Sequence, residues 1–168
     1  VLDANLGAYR ASEWSVCEPL LKTLQANMLC LADRGFNGYE HWKAARATGA
    51  QLLWRCAANR QPPVQQTLDD GSYLSALYAP SKSPTRRDAR SALVVRVVEY
   101  SLPGSDERYR LLSSLLDPKT APALELGDHG VRRGADPGQI VVAEVDAGPD
   151  HLPHLVELPV REVPPDRD

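Results

Sequence analysis

Apolar and polar residues along the first 58 positions repeat with strand and helix periods in turn. The predicted elements are a strand at 1–8, a helix at 12–25, a strand at 28–33, a helix at 38–48 and a strand at 50–56. The run before Asp33 is apolar on both faces, which is typical of a strand between two layers. Asn37 and Glu40 form a capping-box pattern for the next helix, and Gly49 is placed to end it. This alternation predicts an α/β layer with parallel strands next to Asp33.

The next part of the chain carries the pattern of two antiparallel hairpins. Residues 64–68 and 73–78 flank an Asp-Asp-Gly sequence, which is a strong turn signal between two strands. Residues 92–100 and 109–115 flank a Leu-Pro-Gly-Ser-Asp sequence of the same character. We therefore expect a mostly antiparallel sheet after the α/β layer.

Composition and charge narrow the class of protein only slightly. The chain has 168 residues, 43% hydrophobic content and a net charge of -3, as expected for one globular domain. This charge excludes an overall basic field for nucleic acid, although a local basic patch is compatible with it. The three cysteines are widely spaced and form no CxxC pair, so they predict reduced thiols in a cytoplasmic protein. No apolar run has the length of a membrane span, and we expect no membrane partner.

Asp33 is the first candidate for chemistry, because it follows a buried strand at the edge where open α/β sheets bind ligands. By composition alone, an aspartate in this position is better interpreted as a turn former. The segment 31–39, which reads Leu-Ala-Asp-Arg-Gly-Phe-Asn-Gly-Tyr, resembles the surroundings of the second catalytic aspartate in insertion-sequence DDE transposases. These enzymes have a ribonuclease-H-like core. The resemblance covers residues 1–126 and includes the segments 49–59 and 112–126.

The resemblance implies a metal-dependent site of which this chain holds one part. In the family, three carboxylates bind two divalent ions, Mg²⁺ or Mn²⁺, which activate the attacking oxygen and stabilise the leaving oxygen. The resemblance implies that Asp33 is a catalytic residue and a metal ligand. Asp3 lies too close to Asp33 in the sequence to match the family's first aspartate. The Tyr-x-x-Arg-x-x-x-Glu pattern of the last ligand is absent, because no tyrosine follows Tyr109.

Basic residues in two places are candidates for contact with DNA phosphates. Four of them lie in the loop between the hairpins, which carries a single acidic residue, and one follows Asp33 directly. An ordinary solvated loop with weak surface ion pairs explains the same composition. The candidate DNA-binding residues are Arg34, Lys82, Arg86, Arg87 and Arg90.

Residues 127–168 depart from the family pattern. They contain no lysine and no Phe, Tyr or Trp, and they are rich in Gly, Pro, Asp, Arg and Val. We predict an irregular or disordered tail, in which residues 139–145 could still form one edge strand. A shift of the reading frame near Gly127 is one hypothesis for this change, and a natural linker or tail is the other.

Together these patterns predict an α/β protein in three parts. They are a partial ribonuclease-H-like core at 1–58, a β-rich insertion with the start of the closing helix at 59–126, and an irregular tail at 127–168. The expected function is that of a fragment of a cut-and-paste DNA transposase, with transposon ends or a full-length transposase as partners. One carboxylate cannot hold two divalent ions, so we expect the chain to be inactive alone. A non-catalytic remnant that binds DNA or protein, and an unrelated small α/β enzyme, stay open as alternatives.

Overall fold

The computed structural model describes residues 18–36, 38–57, 59–80, 91–101, 108–133, 140–144 and 156–157. Their strands are β1 (Met28–Ala32), β2 (Gln51–Arg55), β3 (Gln66–Thr67), β4 (Tyr73–Leu77), β5 (Leu93–Ser101), β6 (Arg108–Ser113), β7 (Ile140–Glu144) and β8 (Val156–Glu157). The α-helices are α1 (Tyr39–Ala47) and α2 (Ala123–Arg133), and short 3-10 helices span Glu18–Thr23 and Arg34–Phe36.

The described strands form one mixed sheet in the order β3-β4-β5-β6-β2-β1-β7-β8. β1 and β2 run parallel, as the strand-helix-strand order predicts. β6 pairs antiparallel with β2, so both hairpins extend the sheet that contains β1. The fold is therefore mixed α/β, and the predicted insertion shares one continuous sheet with the α/β layer.

Each face of the sheet packs its own core, because successive strand residues point to opposite sides. On one face, Cys30 and Trp54 are buried with Trp42 of α1. On the other face, Leu31 and Leu53 are buried with hydrophobic side chains that include Leu126 of α2. We call these the α1 face and the α2 face. β1 is buried along its whole length, which confirms the prediction of a strand between two layers.

Most local predictions in the described residues are confirmed. The structure has the predicted strands before Asp33 and after Gly49, the helix between them, and both hairpins. Gly49 has φ +88° and ends α1, as expected of a glycine after a helix. The capping-box prediction is wrong, because the N-cap of α1 is Gly38 and no side chain caps the helix there. Asn37 and the strand predicted at 1–8 lie outside the described residues.

Two predicted segments differ from the structure. The described part of the 12–25 helix is the 3-10 helix Glu18–Thr23, which has Pro19 in its first turn. The prediction of an irregular tail from residue 127 is wrong for 127–133, whereas the strand predicted within 139–145 is present as β7. α2 crosses that boundary, and β7 pairs with β1 over five residues. Since β8 pairs with β7, the strand predicted at 139–145 exists but does not lie at the edge.

Among the described residues, Arg96 of β5 is a charged residue whose side chain is fully buried. Its Nε donates a hydrogen bond to Ser72 Oγ at 2.8 Å and its Nη1 donates to the Ala121 carbonyl at 2.6 Å. Its Nη2 donates to the carboxylate of Asp70, which also accepts from the Ala123 N–H at 2.8 Å. This cluster, the Arg96–Asp70 clamp, joins the β3–β4 turn to the start of α2.

Candidate nucleic-acid interface

Asp33 follows the last residue of β1, at the edge of the sheet that the sequence predicts. Its side chain is only 12% exposed, and its Oδ1 is buried with no hydrogen-bond partner among the described residues. Arg55 ends the parallel strand β2, and its Nη1 lies 3.6 Å from this oxygen. Because Ala32 and Trp54 are register partners, Asp33 and Arg55 leave adjacent strands side by side. The nearest charge to Asp33 among these contacts is thus a guanidinium group.

Arg55 also connects Asp33 to two aromatic rings. Its guanidinium carbon lies 5.1 Å from the centroid of the Tyr109 ring, which is a cation–π distance. Tyr109 stacks on Tyr100 with centroids 5.4 Å apart, and these two residues are direct partners across β5 and β6. A row of side chains therefore crosses four neighbouring strands from an acid, through an arginine, to two tyrosines.

A small, shallow depression lies at the carboxyl end of β2, beside this row. Four arginines, one tyrosine and two small residues line it. We call it the arginine groove. Its lining residues are Arg34, Arg55, Cys56, Ala57, Arg108, Tyr109 and Arg110. Arginine binds carboxylates and phosphates through paired N–H donors, so this lining is suited to an anion.

Glu99 of β5 forms ion pairs with two of the arginines that line the groove. Its carboxylate lies 2.6 Å from Arg110 Nε and 3.6 Å from Arg108 Nη1. The hydrogen bond from Arg110 to Glu99 raises the pKa of the guanidinium group. The Arg108 side chain is 73% exposed, so its ion pair with Glu99 contributes little to stability.

Burial raises the pKa values of three titratable groups near the arginine groove, which favours their neutral forms. Burial raises the pKa of the Cys56 thiol, although Arg60 and Arg110 oppose the shift. Burial likewise raises the pKa of the Tyr100 and Tyr73 phenols. The charge that a ligand meets therefore comes from the arginines and from the two carboxylates that pair with them.

The described residues do not by themselves fit a two-metal site. They contain no group of three or more His, Cys, Asp or Glu side chains placed to hold a metal ion. The orphan Oδ1 of Asp33 is a suitable oxygen ligand, but a cation there would lie against the positive charge of Arg55. Mg²⁺ and Mn²⁺ need several oxygen ligands, which one carboxylate does not supply.

The predicted site residues are only partly brought together. Asp33 and Arg34 lie at the same edge, and Arg34 lines the arginine groove. Three further arginines of the groove were missed by sequence reasoning, because they come from strands distant in the chain. Their signal is an Arg-Tyr-Arg alternation at the start of β6 and an arginine at the end of β2. The predicted residues Lys82, Arg86, Arg87 and Arg90 lie outside the described residues.

None of the helices in the described ranges is long and apolar enough to cross a membrane. Comparisons of the chain with protein-family models, curated proteins and solved structures found no match.

Proposed function

We propose that this chain carries the second-aspartate segment of an insertion-sequence DDE transposase catalytic domain. We further propose that it contacts DNA but does not cleave DNA alone. The observation that supports both parts is the position of Asp33, which ends a buried strand beside a parallel strand and an arginine-lined groove. Positive charge close to a site of phosphoryl transfer stabilises the charge that develops on the phosphate oxygens.

The lack of cleavage follows from the ligand count. Asp33 faces Arg55, and the described residues contain no group of three or more His, Cys, Asp or Glu side chains placed to hold a metal ion. A complete site for Mg²⁺ or Mn²⁺ would need carboxylates from undescribed residues, or from a partner such as a full-length transposase. The two cysteines in the described ranges, Cys30 and Cys56, are buried thiols that form no disulfide, which suits the proposed cytoplasmic location.

A strand-nicking assay tests the proposal for activity. Supercoiled plasmid is incubated with the purified chain over a titration of Mg²⁺ or Mn²⁺, and wild type is compared with Asp33→Ala. We expect no metal-dependent nicking from either protein, while both retard a labelled duplex in a gel-shift experiment. Nicking that disappears in Asp33→Ala would contradict the proposed inactivity, because it requires a complete metal site. Absence of any DNA binding at low salt would refute the proposed DNA contact.

The encoding DNA tests the proposed ancestry independently of activity. A one-base shift of the frame after Leu126 is expected to encode a Tyr-x-x-Arg-x-x-x-Glu sequence, if the change of pattern near Gly127 arose from a frameshift. Absence of that sequence from the shifted frames would remove the frameshift hypothesis. The helix α2, which spans this boundary, would then be the native continuation of the chain.

A further inference from the structure

The arginines that line the groove project from both faces of the sheet. Arg55 is two residues from Leu53, whose side chain is buried on the α2 face, so Arg55 projects to that face. Arg110 is two residues from Leu112, which is buried on the α1 face, so Arg110 and Arg108 project to the α1 face. The groove is therefore the place at the end of the sheet where arginines of the two faces approach each other.

Separate contacts hold the arginines on each face. On the α2 face, Asp33 Oδ1 lies 3.6 Å from Arg55 Nη1, and the guanidinium carbon of Arg55 lies 5.1 Å from the centroid of the Tyr109 ring. On the α1 face, Arg110 Nε donates a hydrogen bond to Glu99 at 2.6 Å. Since these contacts already order both guanidinium groups, a ligand that binds them loses less free energy to side-chain ordering.

We propose that this end of the sheet binds the phosphodiester backbone of DNA, and that its two faces hold different phosphates of the same strand. The groove is too small to enclose a phosphate group, and one phosphate cannot reach guanidinium groups on opposite faces of a sheet. A DNA strand carries one phosphate per about 3.4 Å of duplex axis, so a strand that crosses the sheet end presents a separate phosphate to each face. The inference rests on the proposed DNA contact and adds where and how the backbone is held.

The local charge favours this ligand, although the chain as a whole has a net charge of -3. Four arginines line the groove, and the acids that form ion pairs with them in the described residues are Asp33 and Glu99. The Arg108 side chain is 73% exposed, and Arg34 is exposed as well, so phosphates can reach both from solvent. Contacts to phosphates carry no direct sequence information, so the predicted binding is independent of base sequence.

Fluorescence anisotropy of two labelled duplexes of unrelated sequence, with the full chain in EDTA, tests this assignment. The variants are Arg55→Gln for the α2 face, Arg108→Gln for the α1 face, and the two combined. Lys119→Gln is the charge-matched control, because Lys119 is exposed beyond the far end of β6. Each groove variant should weaken binding to both duplexes about tenfold at ~50 mM salt and lower the salt slope by roughly 0.9, as expected for one lost phosphate contact. The control should change the affinity by less than about twofold, because salt screens a distant charge.

The double variant distinguishes two separate phosphates from one shared phosphate. Separate phosphates predict that the two losses multiply to about a hundredfold and that the salt slope falls by roughly 1.8. A double variant that binds no more weakly than the weaker-binding single variant would overturn the proposal, because both arginines would then hold one group. Urea unfolding midpoints check that each variant folds. Arg34→Gln replaces Arg55→Gln if that variant unfolds, since Arg34 is exposed and lines the groove next to β1.

Two further comparisons separate this inference from the proposed DNA contact. Arg86→Gln/Arg87→Gln changes the candidate loop outside the described residues and leaves the groove intact. Loss of binding confined to this loop variant would overturn the assignment to the sheet end and keep the proposed DNA contact, whereas no binding by wild type would overturn both. An oligoglutamate with the same charge should displace the duplex poorly. Displacement as effective as that by unlabelled duplex would overturn a site for phosphates.

Discussion

The Arg96–Asp70 clamp gives the sharpest prediction for stability, because a buried guanidinium depends on one carboxylate. Asp70→Ala removes the charge that faces Arg96 and also the acceptor of the Ala123 N–H at the start of α2. Breaking a buried ion pair by removing one partner costs about 3–5 kcal/mol. The Asp70 side chain is 21% exposed, so water can reach part of the vacated space. We therefore expect Asp70→Ala to lower the free energy of unfolding by about 2–4 kcal/mol.

The double variant Asp70→Ala/Arg96→Met tests whether the unpaired charge of Arg96 causes this loss of stability. Arg96→Met alone removes the guanidinium and leaves the Ala121 carbonyl and the Ser72 hydroxyl without that donor, at a cost of about 2–3 kcal/mol. In Asp70→Ala/Arg96→Met no buried charge remains, because the methionine fills similar space without one. The double variant should then be less destabilised than the sum of the single variants by about 2 kcal/mol.

Urea unfolding followed by tryptophan fluorescence measures these free energies. Trp42 and Trp54 pack edge to face at 5.1 Å in the core of the α1 face, so their emission reports the loss of that core. Asp69→Ala is the matched control, since Asp69 is the exposed neighbour in the same turn and should cost less than about 0.5 kcal/mol. Single-variant effects that add within 0.5 kcal/mol in the double variant would refute the proposed coupling.

Two further predictions concern pH and glycine positions. Burial favours a higher pKa for Asp70, but hydrogen bonds from Ser72 and Ala123 and the charge of Arg96 hold the pKa below its ordinary value. The stabilisation is therefore present above the unfolded pKa of about 3.9 and is lost as pH falls through the lower folded value. Acid titration of stability should be shallower in Asp70→Asn than in wild type, and equal slopes would contradict this. Gly49→Ala should lower the free energy of unfolding by about 1 kcal/mol, because the backbone φ of Gly49 is +88°. Gly127→Ala should raise it by up to ~1 kcal/mol, because alanine has the higher helix propensity inside α2. Thermal melts of the two variants and wild type compare these effects.

Local features of this fold could be predicted because their signals are local. The apolar run of β1, the helix before Gly49 and the Asp-Asp-Gly turn each depend on side-chain periods and backbone preferences within a few residues. The boundary at residue 127 could not be predicted in the same way. Gly127 and the residues after it have weak helix propensity, yet α2 continues because its Leu126 is buried on the sheet. Tertiary burial overrides local preference there.

The sequence by itself determined the strand before Asp33, its parallel neighbour and the position of Asp33 at the edge of the sheet. Only the tertiary structure decided which charges Asp33 and its neighbours meet. The pairing of β6 with β2 brings Arg108 and Arg110 to the groove beside Arg55. Such pairing depends on burying both faces of a sheet built from distant segments, which leaves no short-range signal in the sequence. The set of arginines that line the groove is therefore a product of the fold.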